Sequence, residues 1–188
     1  DRTKSIISEI LRAGVAPDIG HWENLLLRAA QCPPYRSVAV ACFASNVARL
    51  ESVAAAATAN GREVALVGRS LWRIYKAARD TGYLRDAPPF LSEDEADAVP
   101  RDKILLVCTG SQGEPRAALS RIAQGDHPHI TLDADDAVIF SSRIIPGNER
   151  AIGRLQNRLA KAGIIIVSEH DHFVHVSGHP AQDELAQM

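Results

Sequence analysis

The chain has 188 residues, 46% of them hydrophobic and 23% charged, the balance of a soluble globular protein with one main domain and room for a short appendage. Its 21 Lys and Arg against 23 Asp and Glu leave a formal charge of −2, which excludes a whole-molecule attraction to nucleic acid and requires a local site for any polyanion. No apolar run approaches the roughly 18 residues of a membrane span, Asp1-Arg2-Thr3-Lys4 does not read as a signal peptide, and Cys32, Cys42 and Cys108 have neither the even count of a disulfide framework nor a zinc-ribbon spacing.

Residues 1–35 read as a helical lead-in, with Ile6, Ile10 and Leu11, then Trp22, Leu25 and Leu26, ending at the Pro33-Pro34 breaker. From there short apolar runs alternate with helical patterns. The runs are Val38–Phe43, Val64–Val67, Ile104–Cys108, Ala137–Phe140, Ile164–Val167 and Phe173–Val176. Most are continuously hydrophobic, as strands of a parallel sheet are when both faces are covered. Leu50, Val53, Ala54 and Ala57 give one helix an apolar stripe, and Ile152, Leu155 and Leu159 give another. Gly61 and Gly163 stand where helix C-terminal caps belong, Ser70 is placed to cap the helix of Leu71 and Ile74, and Glu114-Pro115 is placed to open one. Residues 84–103 read as a loop with one short helix behind Ser92. Cys42 and Cys108 lie in apolar runs, where a thiol acts as a small hydrophobe, and a reducing cytoplasm is the expected compartment. The alternation predicts an α/β fold, doubly wound, with a mostly parallel sheet and helices on both faces.

In such a sheet ligands bind beyond the C-terminal ends of the strands. The residues there are Ala44-Ser45-Asn46, Gly68-Arg69-Ser70, Thr109-Gly110-Ser111-Gln112-Gly113-Glu114, Ser141-Ser142-Arg143 and Ser177-Gly178-His179. Small, hydroxyl and amide residues leading into helices suit an anion, and Arg69 and Arg143 add charge, so a phosphate is the expected guest. Each loop taken singly is also an ordinary cap or turn. The pattern is neither a Walker A loop nor a dinucleotide fingerprint. His170-Asp171-His172 reads as a polar turn before a strand, since strand alternation would not converge these nitrogens on a metal. His175 and His179, flanking Val176-Ser177-Gly178, could donate to a phosphate or act as a general acid.

Phe43-Ala44-Ser45-Asn46-Val47, Thr109-Gly110-Ser111-Gln112-Gly113-Glu114-Pro115, Phe140-Ser141-Ser142-Arg143 with Ile145-Pro146-Gly147-Asn148-Glu149, and His175-Val176-Ser177-Gly178-His179 occur in this order. Together they resemble the β-CASP domain of bacterial ribonuclease J over residues 36–188. The resemblance implies a Rossmann-like lobe of a metallo-β-lactamase-fold ribonuclease that degrades RNA from a 5′-monophosphate end and also cuts internally. Two zinc ions, held by a β-lactamase lobe, would activate the attacking water. By the same resemblance His175, Ser177 and Gly178 would line an RNA phosphate pocket and His179 would assist catalysis. Ser45 and Asn46 would face the RNA, with Arg143, Ser111, Gln112 and Glu114 contributing from their loops.

The expected partners are single-stranded RNA and the β-lactamase lobe, with no membrane, and the resemblance leaves a homo-oligomeric parent open. The departures are as informative. No H-x-H-x-D-H motif occurs, because Phe173-Val174 follows His172, and the Asp1-Arg2-Thr3 segment alone cannot hold zinc. The chain therefore reads as a β-CASP portion that does not hydrolyse RNA by itself and carries no metal ligands. A Rossmann-like module for a small phosphorylated ligand or nucleotide is the alternative, and a purely structural or oligomerising domain a third. A pocket gripping one terminal phosphate needs few cations, so the net charge predicts a shallow salt dependence of RNA binding.

Overall fold

The computed structural model describes residues 36–171 and Val174. The expected N-terminal helices, Cys32, and most of the Phe173–Val176 run lie outside these residues. Five strands, β1 (Val38–Ala41), β2 (Glu63–Val67), β3 (Ile104–Cys108), β4 (Ala137–Phe140) and β5 (Ile165–Val167), form one sheet in the order β2-β3-β1-β4-β5. Every pairing is parallel. The helices between them are α1 (Val47–Ala59), α2 (Arg69–Asp80), α3 (Glu93–Asp97), α4 (Ala118–Gln124) and α5 (Glu149–Lys161), with a 3₁₀ turn at Arg101–Lys103.

The unbroken apolar character of the strands follows from burial on both faces. Val38, Val40, Leu66, Leu105, Val107 and Ile139 point into one layer with Leu50, Val53, Ala54 and Ala57 of α1 and Leu71 of α2. Their neighbours Ala39, Ala41, Leu106, Cys108, Val138 and Phe140 point into the other, with Leu119 and Ile122 of α4 and Leu155 and Leu159 of α5. Alternate side chains leave a strand on opposite faces, so each strand must be apolar throughout. The outer edge of β2 is closed by Leu91, whose backbone N–H donates to the Val64 carbonyl (2.8 Å) and whose carbonyl accepts from Leu66 (3.1 Å). Pairing of this kind removes an exposed edge that would otherwise template association.

Local signals set most helix limits. Asn46 Oδ1 accepts from the Arg49 N–H (3.0 Å) and caps α1, while Ser92 and Glu95 form a reciprocal capping box on α3. Gly61 and Gly163 follow α1 and α5 with φ of 62° and 79°. Three expectations are corrected. The first strand stops at Ala41 rather than Phe43, because the chain turns there into the α1 cap, with the Asn46 N–H donating to the Phe43 carbonyl (3.3 Å). Helix α2 starts at Arg69 behind Gly68, so Ser70 lies inside it, and the Gly68 N–H is taken up by Glu93 Oε1 (3.0 Å). Glu114-Pro115 does not open a helix. A residue before proline is steered away from helical backbone, and α4 begins at Ala118, whose N–H donates to Thr109 Oγ1 (3.2 Å).

At the N-terminal ends of the strands the wholly buried Asp136 carboxylate accepts from the Ser37 and Asp133 N–H groups (2.8 and 2.7 Å) and pairs with Arg101. A buried carboxylate persists only when its lone pairs are used this way. It ties the entrances of β1 and β4 together.

Candidate functional site at the strand ends

Strand β1 occupies the centre of the sheet. The chain leaves it toward β2 on one side and leaves β4 toward β5 on the other, so the loops after these two neighbouring strands diverge. A crevice at such a switch point is where ligands sit in open parallel sheets.

Two side chains bridge it. Gln112, in the loop after β3, is 4% exposed. Its Nε2 donates to the Arg143 carbonyl (2.9 Å) and to Ser142 Oγ (3.2 Å), and its Oε1 accepts from the Ile145 N–H (2.9 Å) and Asn148 Nδ2 (3.3 Å). Both donors and both acceptor positions of the amide are thereby spent inside the protein. Gln112 lies at the expected edge, but its role there is to lock the loop after β3 onto the loop after β4. Glu114, exposed, accepts from the Gln112 N–H through Oε2 (3.0 Å) and braces the same turn.

Arg49 is the second bridge. It is 2% exposed, and its Nη1 donates to the Ser141 carbonyl (3.1 Å), to Ser141 Oγ, and to the Val174 carbonyl (3.4 Å). Ser141 Oγ also donates to the Val174 carbonyl (2.6 Å). A guanidinium is the side chain best able to serve several carbonyls at once while staying charged. Burial pulls its pKa below the ordinary arginine value, an effect opposed by the Cys42 sulfur. Burial likewise pushes the Cys42 thiol up to about 11, Arg49 working against it, and pushes the Cys108 thiol up as well. Both cysteines are protonated hydrophobes at neutral pH. The sequence reading passed over Arg49, although a signal was present: it shares a helix face with Val53 and Ala56, at i+4 and i+7 on the buried side.

The remaining candidates divide. Ser45 is exposed in the loop after β1, and Asn46 commits its Oδ1 to the α1 cap. Arg143 is exposed, with only its carbonyl committed to Gln112. Ser111 is 2% exposed, and its Oγ is the one buried side-chain oxygen without a hydrogen-bond partner among the described residues. His175, Ser177, Gly178 and His179 lie outside the described residues, as does His172. His170 is exposed in a turn that Asp171 closes by accepting from the Ser168 N–H (3.0 Å) and Oγ (2.8 Å), the polar turn expected there. Among the described residues no three His, Cys, Asp or Glu side chains converge as a metal would require. The described residues therefore do not fit a zinc pair, and no hydrolytic step is assigned to them. No helix among the described residues is long and apolar enough to cross a membrane.

Comparison with known proteins agrees with this architecture. Residues 35–159 match the family model for the ribonuclease J β-CASP domain. A ribonuclease J of Sinorhizobium meliloti is 47% identical over 178 residues, 95% of this chain and 31% of that protein. One from Mycolicibacterium smegmatis is 44% identical over 92% of this chain and 31% of its own length. Ribonuclease J2 of Bacillus subtilis is 38% identical over 80% of this chain and 27% of that protein. The chain thus spans about a third of the length of these relatives. Identity at this level, together with the family-model match over most of the chain, establishes that this chain belongs to the ribonuclease J family and carries the family's β-CASP domain.

Proposed function

We propose that this chain is the RNA-seating lobe of a zinc-dependent, cytoplasmic ribonuclease of the J type, in which residues 36–188 form the β-CASP domain. It holds single-stranded RNA, 5′-monophosphate first, across the crevice at the strand ends. A metallo-β-lactamase lobe of the parent protein supplies the two zinc ions for phosphodiester hydrolysis, both exonucleolytic from the 5′ end and internal. The observation that carries this reading is the Ser111 hydroxyl. It is buried without a partner in the loop after β3, where Thr109, Gln112 and Glu114 are all bonded within the protein, and a buried hydroxyl in that state calls for an explanation that a bound phosphate would supply. Arg143, exposed on the adjoining loop, supplies the charge that a phosphate requires. His175, Ser177 and Gly178 complete the proposed phosphate pocket and His179 serves the reaction, while Ser45 and Asn46 line the approach.

The test compares binding of this chain to two short single-stranded RNAs that differ only in a 5′-monophosphate or a 5′-hydroxyl. The expected result is tighter binding of the phosphorylated RNA, with the preference lost in Ser111→Ala and in Ser177→Ala. Equal binding of both RNAs by the unmodified chain refutes end recognition by this lobe. Binding of a free nucleoside monophosphate as tightly as the RNA would favour a small-ligand module instead.

A further inference from the structure

Helix α5 begins at the candidate site, directly after Asn148, whose side chain donates to Gln112. Its sequence, ERAIGRLQNRLAK, places Arg150, Arg154, Arg158 and Lys161 at successive steps of four, four and three residues. At 3.6 residues per turn these fall on one face, with about 6 Å of axial rise between successive arginines, about 12 Å from Arg150 to Arg158 and about 16 Å to Lys161. The opposite face is buried through Ile152, Leu155 and Leu159. All four cations are exposed, and among the described residues no carboxylate lies within ion-pairing distance of any of them. The helix carries a single acid, Glu149, whose Oε2 is turned back to the Gly147 N–H (2.8 Å).

This arrangement works against helix stability. Like charges at i, i+4 repel, and Arg150 sits in the first turn, where the helix dipole disfavours a cation. Ordinary solvated helix faces alternate signs instead, so that charges four apart attract. The stripe stands on a chain whose formal charge is −2, so the excess of positive charge is local. Helix α2 also carries exposed cations, Arg69, Arg73 and Lys76, but Asp80 closes that row and the helix lies on the other face of the sheet, against β2.

We propose that the outer face of α5 is a binding track for the sugar–phosphate backbone of single-stranded RNA, leading away from the strand-end crevice. This rests on the RNA-seating reading above and extends it, since it gives the nucleotides beyond the terminal phosphate a sequence-independent path. Arginines spaced along a helix neutralise phosphates without reading bases. The salt dependence for longer RNAs is then steeper than the net charge alone predicts.

The test measures the affinity of the full chain for 5′-phosphorylated oligouridylates of four and of twenty nucleotides across a salt series. The variant is Arg150→Gln/Arg154→Gln/Arg158→Gln. A control, Arg73→Gln/Lys76→Gln/Arg85→Gln, removes as many exposed charges elsewhere. Glutamine keeps helix propensity close to that of arginine, and circular dichroism checks the fold. In the α5 variant the longer RNA should lose at least tenfold in affinity at low salt. Its log–log salt slope should fall by about 2, from about 0.7 per phosphate contact on a single strand. The four-nucleotide RNA should be nearly unaffected, and the control should change neither. A slope unchanged in the α5 variant, or lowered equally in the control, overturns the track while leaving the crevice reading intact. Failure of the unmodified chain to bind either RNA overturns the crevice reading and the track with it.

Discussion

Gly113 is where the loop after β3 meets α5, and replacing it tests how closely the site's two halves are fitted. Its φ is +74°, and a Cβ built there would stand 2.6 Å from the Ala151 carbonyl carbon, 2.8 Å from its oxygen and 2.8 Å from the Ile152 nitrogen. These are backbone atoms of the first turn of α5, so no side chain can swing aside. Gly113→Ala therefore carries a left-handed backbone penalty of about 1–2 kcal/mol and an overpacking cost of about 1–3 kcal/mol. Gly61→Ala is the control: φ is +62° and nothing lies within 4 Å of the added carbon. The loss of unfolded-chain entropy is common to both substitutions and cancels in the comparison. Urea denaturation should show Gly113→Ala less stable than Gly61→Ala by about 2 kcal/mol. For a chain of this size that corresponds to a further fall in Tm of about 4–8 °C. Since the same contact seats Gln112 against Ile145 and Asn148, the Gly113 variant should also bind RNA more weakly. Equal losses from the two substitutions would show that the loop and α5 are not in the close contact from which the site was built.

Arg49→Met should cost about 2–4 kcal/mol by urea denaturation, because it strips charge-assisted donors from the Ser141 and Val174 carbonyls. In a double-mutant cycle with Ser141→Ala the coupling should exceed about 0.5 kcal/mol, and additive losses would deny the bridge. His127 Nδ1 accepts from the Ile130 N–H (3.2 Å), and burial lowers its pKa below the ordinary histidine value, with Glu93 opposing and Arg121 and His129 reinforcing the shift. The unfolded chain then binds the proton more readily than the folded one. Stability should be full above the ordinary histidine pKa of about 6.5 and decline as pH falls below it. His127→Gln should flatten that decline, and an unchanged pH profile would remove His127 as its source. Cys42 and Cys108, buried with raised pKa values, should resist iodoacetamide at pH 8 until the chain is unfolded. Rapid labelling of either in the native protein, mapped by peptide mass, would contradict their burial.

The sequence by itself was enough for the fold class and most element positions, since these depend on local chemistry. A strand covered on both faces has to be apolar at every residue, which made Ile104–Cys108 and Ala137–Phe140 legible. The Leu50, Val53, Ala54 and Ala57 stripe and the Ser92-x-x-Glu95 capping box are equally local. The strand-end motifs could be assigned to one edge of the sheet, because strands and their following loops are contiguous in the chain. Only the tertiary structure decided the strand order β2-β3-β1-β4-β5, and with it the meeting of the β3 and β4 loops beside β1. Gln112 read as a ligand-facing amide, yet its partners Ser142, Arg143, Ile145 and Asn148 lie 30 to 36 residues away, and they consume its hydrogen-bonding capacity. Arg49 belongs to no motif in the sequence, and its burial is set by Ser141 and Val174, 92 and 125 residues distant. Hydrogen bonds of this range are satisfied only once the sheet has assembled. Which buried polar groups are left without a protein partner, as the Ser111 hydroxyl is, is therefore determined by the packing that spends the others.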